Sequence, residues 1–157
     1  MTRLFFSFFV LIGQLLAKDC REIIARLEKV YNIPQGLLMA IAKVESNCRP
    51  YAVSSGRQAR YFDSLSAAVR FAEQARGQGR RNVSVGCMQL HFSSHRRSFE
   101  NAYQMLHPEF NIGYAARMVA SLYRRYGSWE RAVRAYNCGS PHRARHYWSK
   151  VARFWGR

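Results

Sequence analysis

The sequence predicts a mainly α-helical domain with one small irregular or β element near Gly86. Two observations carry that expectation: apolar residues recur at helical spacing in successive stretches bounded by capping or breaking residues, and only Val83–Leu90 lacks that period. A chain of 157 residues suits one compact core rather than two. Its 48% hydrophobic and 14% aromatic content, without repeats or biased tracts, excludes a disordered tail.

The N-terminus reads Met1-Thr2-Arg3 and then an uncharged apolar run from Leu4 to Ala17. A positive start, a short greasy segment and a small residue at its end form a secretory signal. The run is shorter than the roughly 20 residues a membrane-spanning helix needs. Residues 1–17 are therefore read as a signal peptide cut near Ala17, and residues 18–157 as the mature domain; an uncleaved inner-membrane tether is the alternative. Leu16-Ala17-Lys18-Asp19-Cys20 lacks the small residue expected directly before a lipid-modified cysteine, which argues against a lipoprotein.

Asp19 followed by Glu22 resembles a capping box, and Ile23, Ile24, Leu27, Val30 and Tyr31 continue a helix that stops at Asn32. Pro34 suits the first turn of a second helix carrying Leu37, Leu38, Ile41, Val44 and Glu45, with Asn47 and Pro50 ending it. Asn47 to Gly56 reads as loop. Leu65, Ala68, Val69 and Ala72 mark a short helix over Ser64–Arg76, which the basic turn from Gly77 to Arg81 breaks. Val83–Leu90 is a brief strand or an extended loop. Ile112, Ala115, Ala116, Val119 and Leu122 predict a helix from about Asn111 to Tyr126, terminated by Gly127. Ser128 caps a further helix bearing Trp129, Ala132, Val133 and Tyr136. A final helix over Arg143–Phe154 turns Tyr147, Trp148 and Val151 inward.

With 25 Lys and Arg against 9 Asp and Glu, the formal charge is +16, so the partner is expected to be anionic. Nucleic acid would be the first reading inside a cell. An exported chain instead meets cell-wall peptides and anionic head groups, and no nucleic acid is expected. Export also permits disulfides among Cys20, Cys48, Cys87 and Cys138, which allow three pairings; at least one bridge is expected. No paired Cys-x-x-Cys occurs and the histidines are scattered, so neither a metal nor a cofactor is expected.

Glu45 breaks the local pattern. At about 100° per residue it lies within roughly 20° of Leu38 and 40° of Ile41, on the apolar face of its helix. A carboxylate there is costly unless paired or protonated. Desolvation raises its pKa, as a general acid near neutral pH requires. The competing reading is a frayed helix end that reaches solvent.

Glu45-Ser46-Asn47, Pro50, Ser54, Gly86-Cys87-Met88-Gln89 and Ala135-Tyr136-Asn137-Cys138-Gly139, in that order, resemble the soluble lytic transglycosylase family. The likeness spans about Asp19 to Pro141 and implies a lysozyme-like, goose-type transglycosylase domain. It implies Glu45 as catalytic acid and base, Ser54 against the sugar's acetamido group, Met88 and Gln89 in the cleft wall, and Tyr136 near the glutamate; Asn137 completes the tyrosine segment as a substrate-binding candidate, a structural role being the alternative. Taken from periodicity alone, Met88 and Tyr136 also fit ordinary core positions.

The resemblance implies peptidoglycan glycan strands as substrate, a periplasmic location and a monomer. It also brings the segments of Cys48 and Cys138 together, which makes that pair the favoured bridge; Cys20 competes for Cys138, with Cys87 then a buried thiol. Two departures stand out. The stretch from Ser54 to Gly86 is longer than the family spacing, and Cys87 and Cys138 replace the usual leucine and alanine. Both are similar to members that accompany secretion and conjugation machines, whose components are further candidate partners. A hydrolytic muramidase and a non-catalytic basic binder of envelope polymer or nucleic acid are the rival readings.

Overall fold

The structure, a computed structural model, describes residues 20–56, 58–137 and 139–157. The signal segment 1–17 and Cys138 lie outside the described residues. Helix α1 (Cys20–Val30) buries Ile23, Ile24 and Leu27. Helix α2 (Leu37–Ser46) buries Leu37, Leu38 and Ile41. Strands β1 (Ala52–Ser55) and β2 (Gln58–Tyr61) lead to α3 (Leu65–Gly77), followed by β3 (Val83–Val85) and β4 (Leu90–His91). Short helices α4 (Phe92–His95) and α5 (Ala102–Leu106) flank a 3-10 turn, and α6 (Pro108–Tyr126), α7 (Trp129–Tyr136) and α8 (Pro141–Trp155) complete the chain. The long α6 presents Ile112, Ala115, Ala116, Val119 and Ala120 to the core, the i, i+3, i+4, i+7, i+8 stripe of a buried helix face. It packs on α1 and α7, while α8 packs on α2.

The expected helices are present, and a mainly α domain with a small β element is what forms. Three readings change. The stretch Asn47–Gly56 is not all loop: β1 lies inside it, in an antiparallel sheet ordered β2-β1-β3-β4. Four residues, Ala52-Val53-Ser54-Ser55, carry no strand period of their own; pairing with Val83–Val85 makes them a strand. Pro34 does not open α2 but accepts the Leu37 N–H at 3.1 Å from the preceding turn. Helices α4 and α5 are too short to leave a periodic signal.

No side chain of its own caps the start of α2, where Gly36 sits at φ 83°. Glu28, buried at the end of α1, does so from another element. Its carboxylate accepts the N–H groups of Gly36 at 2.9 Å, Leu38 at 2.8 Å and Met39 at 3.2 Å. A negative group at a helix N-terminus satisfies orphan donors and opposes the helix dipole. The C-terminal end closes on Asn47 in the left-handed conformation, φ 55°. Among the described residues no helix is long and apolar enough to cross a membrane.

Removing the Glu28 carboxylate leaves those donors buried without it. Glu28→Ala is expected to cost about 3 kcal/mol and to lower the melting temperature by on the order of 10 °C, read by thermal denaturation. A melting temperature within about 2 °C of the parent, less than the shift for one ordinary hydrogen bond, would remove this cap from the account of how α2 is held.

Candidate active site

The last turn of α2 faces a cleft of about 560 Å³. Glu45 lines it with Asn82, Ser84, Gln89, Leu90 and His91 from the sheet side, Ser94, His95 and Met118 from α4 and α6, and Tyr136, Asn137, Gly139 and Arg143 from the far wall. Among the described residues that line this cleft, Glu45 is the one carboxylate. The other downstream acids stand elsewhere: Asp63, Glu73 and Glu100 are exposed, Glu109 pairs with Arg26 at 2.5 Å, and Glu130 pairs with Arg134 at 3.0 Å.

Burial pushes the Glu45 carboxyl from 4.5 up to about 7, against the pull of a hydrogen bond that favours the ionised form. That bond comes from Tyr147, whose O–H donates to Glu45 Oε1 at 2.5 Å. Tyr147 is itself buried in α8, and burial, together with the neighbouring Glu45 and Tyr136, raises its phenol well above 10. The sequence placed Tyr147 only as an inward helix residue. Its contact with Glu45 spans 102 positions of chain, so periodicity marks its burial and nothing local marks its partner.

Against the end of α2 lies the turn Gly86–Gln89, which reaches the cleft through Gln89 and whose backbone is fastened by three helices. Ser46 of α2 donates to the Cys87 carbonyl at 2.7 Å. Tyr136 of α7 donates to the Met88 carbonyl at 2.7 Å. Asn111 of α6, fully buried, accepts the Met88 N–H at 2.9 Å and donates to the carbonyls of Val85 and Met105, each at 3.0 Å. Gly86 is required here, because at φ 80° a Cβ would meet Asn111 Nδ2 at 2.3 Å. Nothing local in the sequence marks Asn111 beyond its place near a helix start.

The residues singled out in the sequence thus divide. Gln89, Tyr136 and Asn137 line the cleft with Glu45. The Gln89 side chain is turned back, donating to the carbonyls of Ala52 at 3.2 Å and Gly86 at 2.9 Å. Met88 is fully buried, so its side chain packs in the core and its backbone alone serves the turn. Ser54 is half-buried on β1, paired with Ser84; of the two, Ser84 is the one that lines the cleft. The phenol on the glutamate is that of Tyr147, and the Tyr136 hydroxyl bonds the turn. Cleft residues outside the motifs include His95, held below its usual pKa by burial and then by His91, with Nδ1 3.0 Å from the Tyr114 hydroxyl.

A family model for the transglycosylase SLT domain matches residues 22–152. The chain belongs to this family. It is accordingly a peptidoglycan lytic transglycosylase with a lysozyme-like domain, and the acid, the turn and the tyrosines described above all fall inside the matched SLT domain. This SLT domain is also similar to Protein IpgF of Shigella sonnei, 29% identical over 144 residues, which cover 89% of this chain and 78% of that protein. No solved structure gives a significant match.

An acid whose pKa is raised by folding binds its proton more tightly in the folded than in the unfolded state. Its ionisation therefore costs stability as pH rises from about 4.5 to 7, and the cost is complete above 7. A rise of that size corresponds to roughly 3 kcal/mol. Glu45→Gln, which cannot ionise, is expected to gain stability over the parent progressively across this window, as urea unfolding at pH 5 and pH 8 will register. An advantage that does not grow with pH would mean that the carboxyl is solvated.

Proposed function

We propose that this chain cleaves the β-1,4 bond between N-acetylmuramic acid and N-acetylglucosamine and leaves 1,6-anhydromuramyl ends. The observation that carries the reading is the single raised carboxyl of Glu45 in a cleft lined by no second acid among the described residues. Ordinary retaining and inverting glycosidases place two carboxylates across the bond. One acid suits assistance by the substrate. Glu45, protonated near neutral pH, gives its proton to the leaving glycosidic oxygen while the N-acetyl carbonyl of the muramic sugar closes on C1. The carboxylate then takes the proton of the 6-hydroxyl, whose oxygen displaces the acetamido oxygen and forms the anhydro ring. No water is consumed.

Tyr147 holds the carboxyl in position between these two transfers, and the Gly86–Gln89 turn forms the facing wall. Ser54, Gln89 and Asn137 are proposed to contact sugar, Ser54 through the acetamido group, and Tyr136 to orient the wall. For Met88 the proposed contribution is by backbone. The apolar leader 1–17 supports export to the periplasm, where the substrate lies. The Gly-Cys-Met-Gln version and the long Ser54–Gly86 stretch support local opening of the wall for an envelope machine.

Mass analysis of fragments from purified sacculi tests the chemistry. Anhydromuramyl ends are expected; reducing muramic ends would establish the hydrolytic reading, and intact glycan the binding one. Glu45→Gln is expected to reduce product formation by roughly 10²- to 10⁴-fold, the usual worth of general acid and base catalysis, while circular dichroism shows a folded domain. Near-parental turnover in that variant would end the assignment.

The Tyr147 hydrogen bond lowers the pKa of Glu45, so its removal raises it. Activity that needs protonated Glu45 falls as pH rises through its pKa near 7. In Tyr147→Phe the alkaline limb of the kcat/KM profile is expected to move to higher pH, together with a lower maximum. An unmoved limb would show that another group sets it.

A further inference from the structure

Beside the cleft lies a second cavity of about 310 Å³, lined by Asn137, His142, Arg143, His146, Tyr147 and Lys150. Two of these, Asn137 and Arg143, also line the cleft, and Tyr147 is the residue that donates to Glu45. The cavity therefore continues the cleft past Glu45. One wall is a face of α8, on which His142, His146 and Lys150 recur at four-residue spacing with Arg143 beside the first. No carboxylate lines the cavity and α8 contains no acidic residue. Among the described residues none of these four side chains has an ion-pair partner.

This face works against the stability of its own helix. The N–H groups of a helix start carry partial positive charge, which acids relieve and cations aggravate. Helices α6 and α7 open on Glu109 and Glu130, whereas the first turn of α8 holds His142 and Arg143 and no acid. Packing does not require these cations. Helix α8 is held to the core through Ala144, Tyr147 and Val151, while His142, Arg143, His146 and Lys150 are exposed. A local rule broken without structural return marks a binding surface, and a concave, positive and unneutralised one takes an anion.

We propose that this cavity binds a carboxylate of the peptide stem on the muramic sugar, so that the protein prefers strands that still carry their stems. The inference rests on the reading of the cleft as the glycan site. The N-acetylated sugar rings are neutral, and the negative charge of a strand resides on its lactyl and stem carboxylates. The muramic sugar whose C1 reacts must lie against Glu45, so its stem leaves the strand there. Three stem residues reach roughly 10 Å, enough to pass from one cavity into its neighbour, whereas a bare lactyl group stays at the sugar. Arg143 and Lys150 supply charge-assisted donors to the carboxylate, and the two imidazoles supply further N–H groups. A lipid surface or a nucleic acid would be drawn by the total charge and has no need of a cavity that opens into the cleft.

The test measures binding to the protein carrying Glu45→Gln, so that no strand is cut and the outcome does not depend on which product forms. Two soluble probes are compared by calorimetry at low salt: glycan oligosaccharides with tripeptide stems, and the same oligosaccharides stripped by an amidase, which leaves the lactyl carboxylate. The stem-bearing probe is expected to bind roughly tenfold more tightly, the worth of one charge-assisted hydrogen bond. Adding Lys150→Glu is expected to bring the two affinities to about parity, and Lys150→Arg to keep most of the difference. Arg125→Glu, exposed on α6 and outside the cavity, changes the total charge equally and is expected to preserve the preference. Circular dichroism checks that each variant is folded. Equal affinity for the two probes overturns the stem site and leaves the glycan reading standing; binding of neither overturns both. A preference that survives Lys150→Glu, or one that Arg125→Glu lowers as much, also overturns the proposal, the second by assigning the attraction to the whole charged surface.

Discussion

A buried turn cannot leave its peptide groups without partners, and in Gly86–Gln89 the first three residues are buried and Gln89 is half-buried at the cleft. Its carbonyls and N–H groups do not all belong to the sheet, since β3 ends at Val85 and β4 begins at Leu90. Side chains from three helices complete them: Ser46, Asn111 and Tyr136. The same bonds that satisfy the turn therefore fix α2, α6 and α7 relative to one another. Through Ser46 they hold the end of α2 that carries Glu45. Residues that look like motif positions for the substrate serve first to hold the frame.

The acid itself sits at the other end of a chain of constraints. An apolar helix that carries a glutamate in its last turn gains from burying Leu38 and Ile41 and loses by dehydrating the carboxyl. Glu28 fixes the start of that helix through three backbone N–H groups, and Tyr147 fixes its end through the carboxyl. The helix is held at both ends by groups from other helices. Burial of the carboxyl at that end raises its pKa to about 7. A carboxyl that titrates near neutrality can give a proton and take one back within the same cycle.

The positive charge plays a separate part. Arginines such as Arg124, Arg125, Arg131 and Arg143 are exposed on the helical half. They raise the local concentration of an anionic polymer without setting the chemistry, and their effect weakens with salt, whereas the buried acid is screened little. The cleft carries Arg143 on its far wall as well as Glu45, and His95 within it is held below its usual pKa.

Helical periodicity alone located α1, α2, α3, α6, α7 and α8, because each buries one stripe of apolar side chains and ends at a breaker that acts within a turn. It also exposed Glu45, since a charge on an apolar face contradicts the pattern that surrounds it. The ordered motifs then pointed to the family and to Tyr136, Gln89 and Asn137 beside the acid. What only the tertiary structure decided are the pairings across long stretches of chain. Strand β1 exists because β3 lies beside it, the phenol that donates to Glu45 comes from Tyr147, 102 positions along the chain, and Met88 turns into the core. A local pattern records which face of an element is buried. It carries no record of which distant side chain the fold will bring against that face, because that choice is made by how the helices pack.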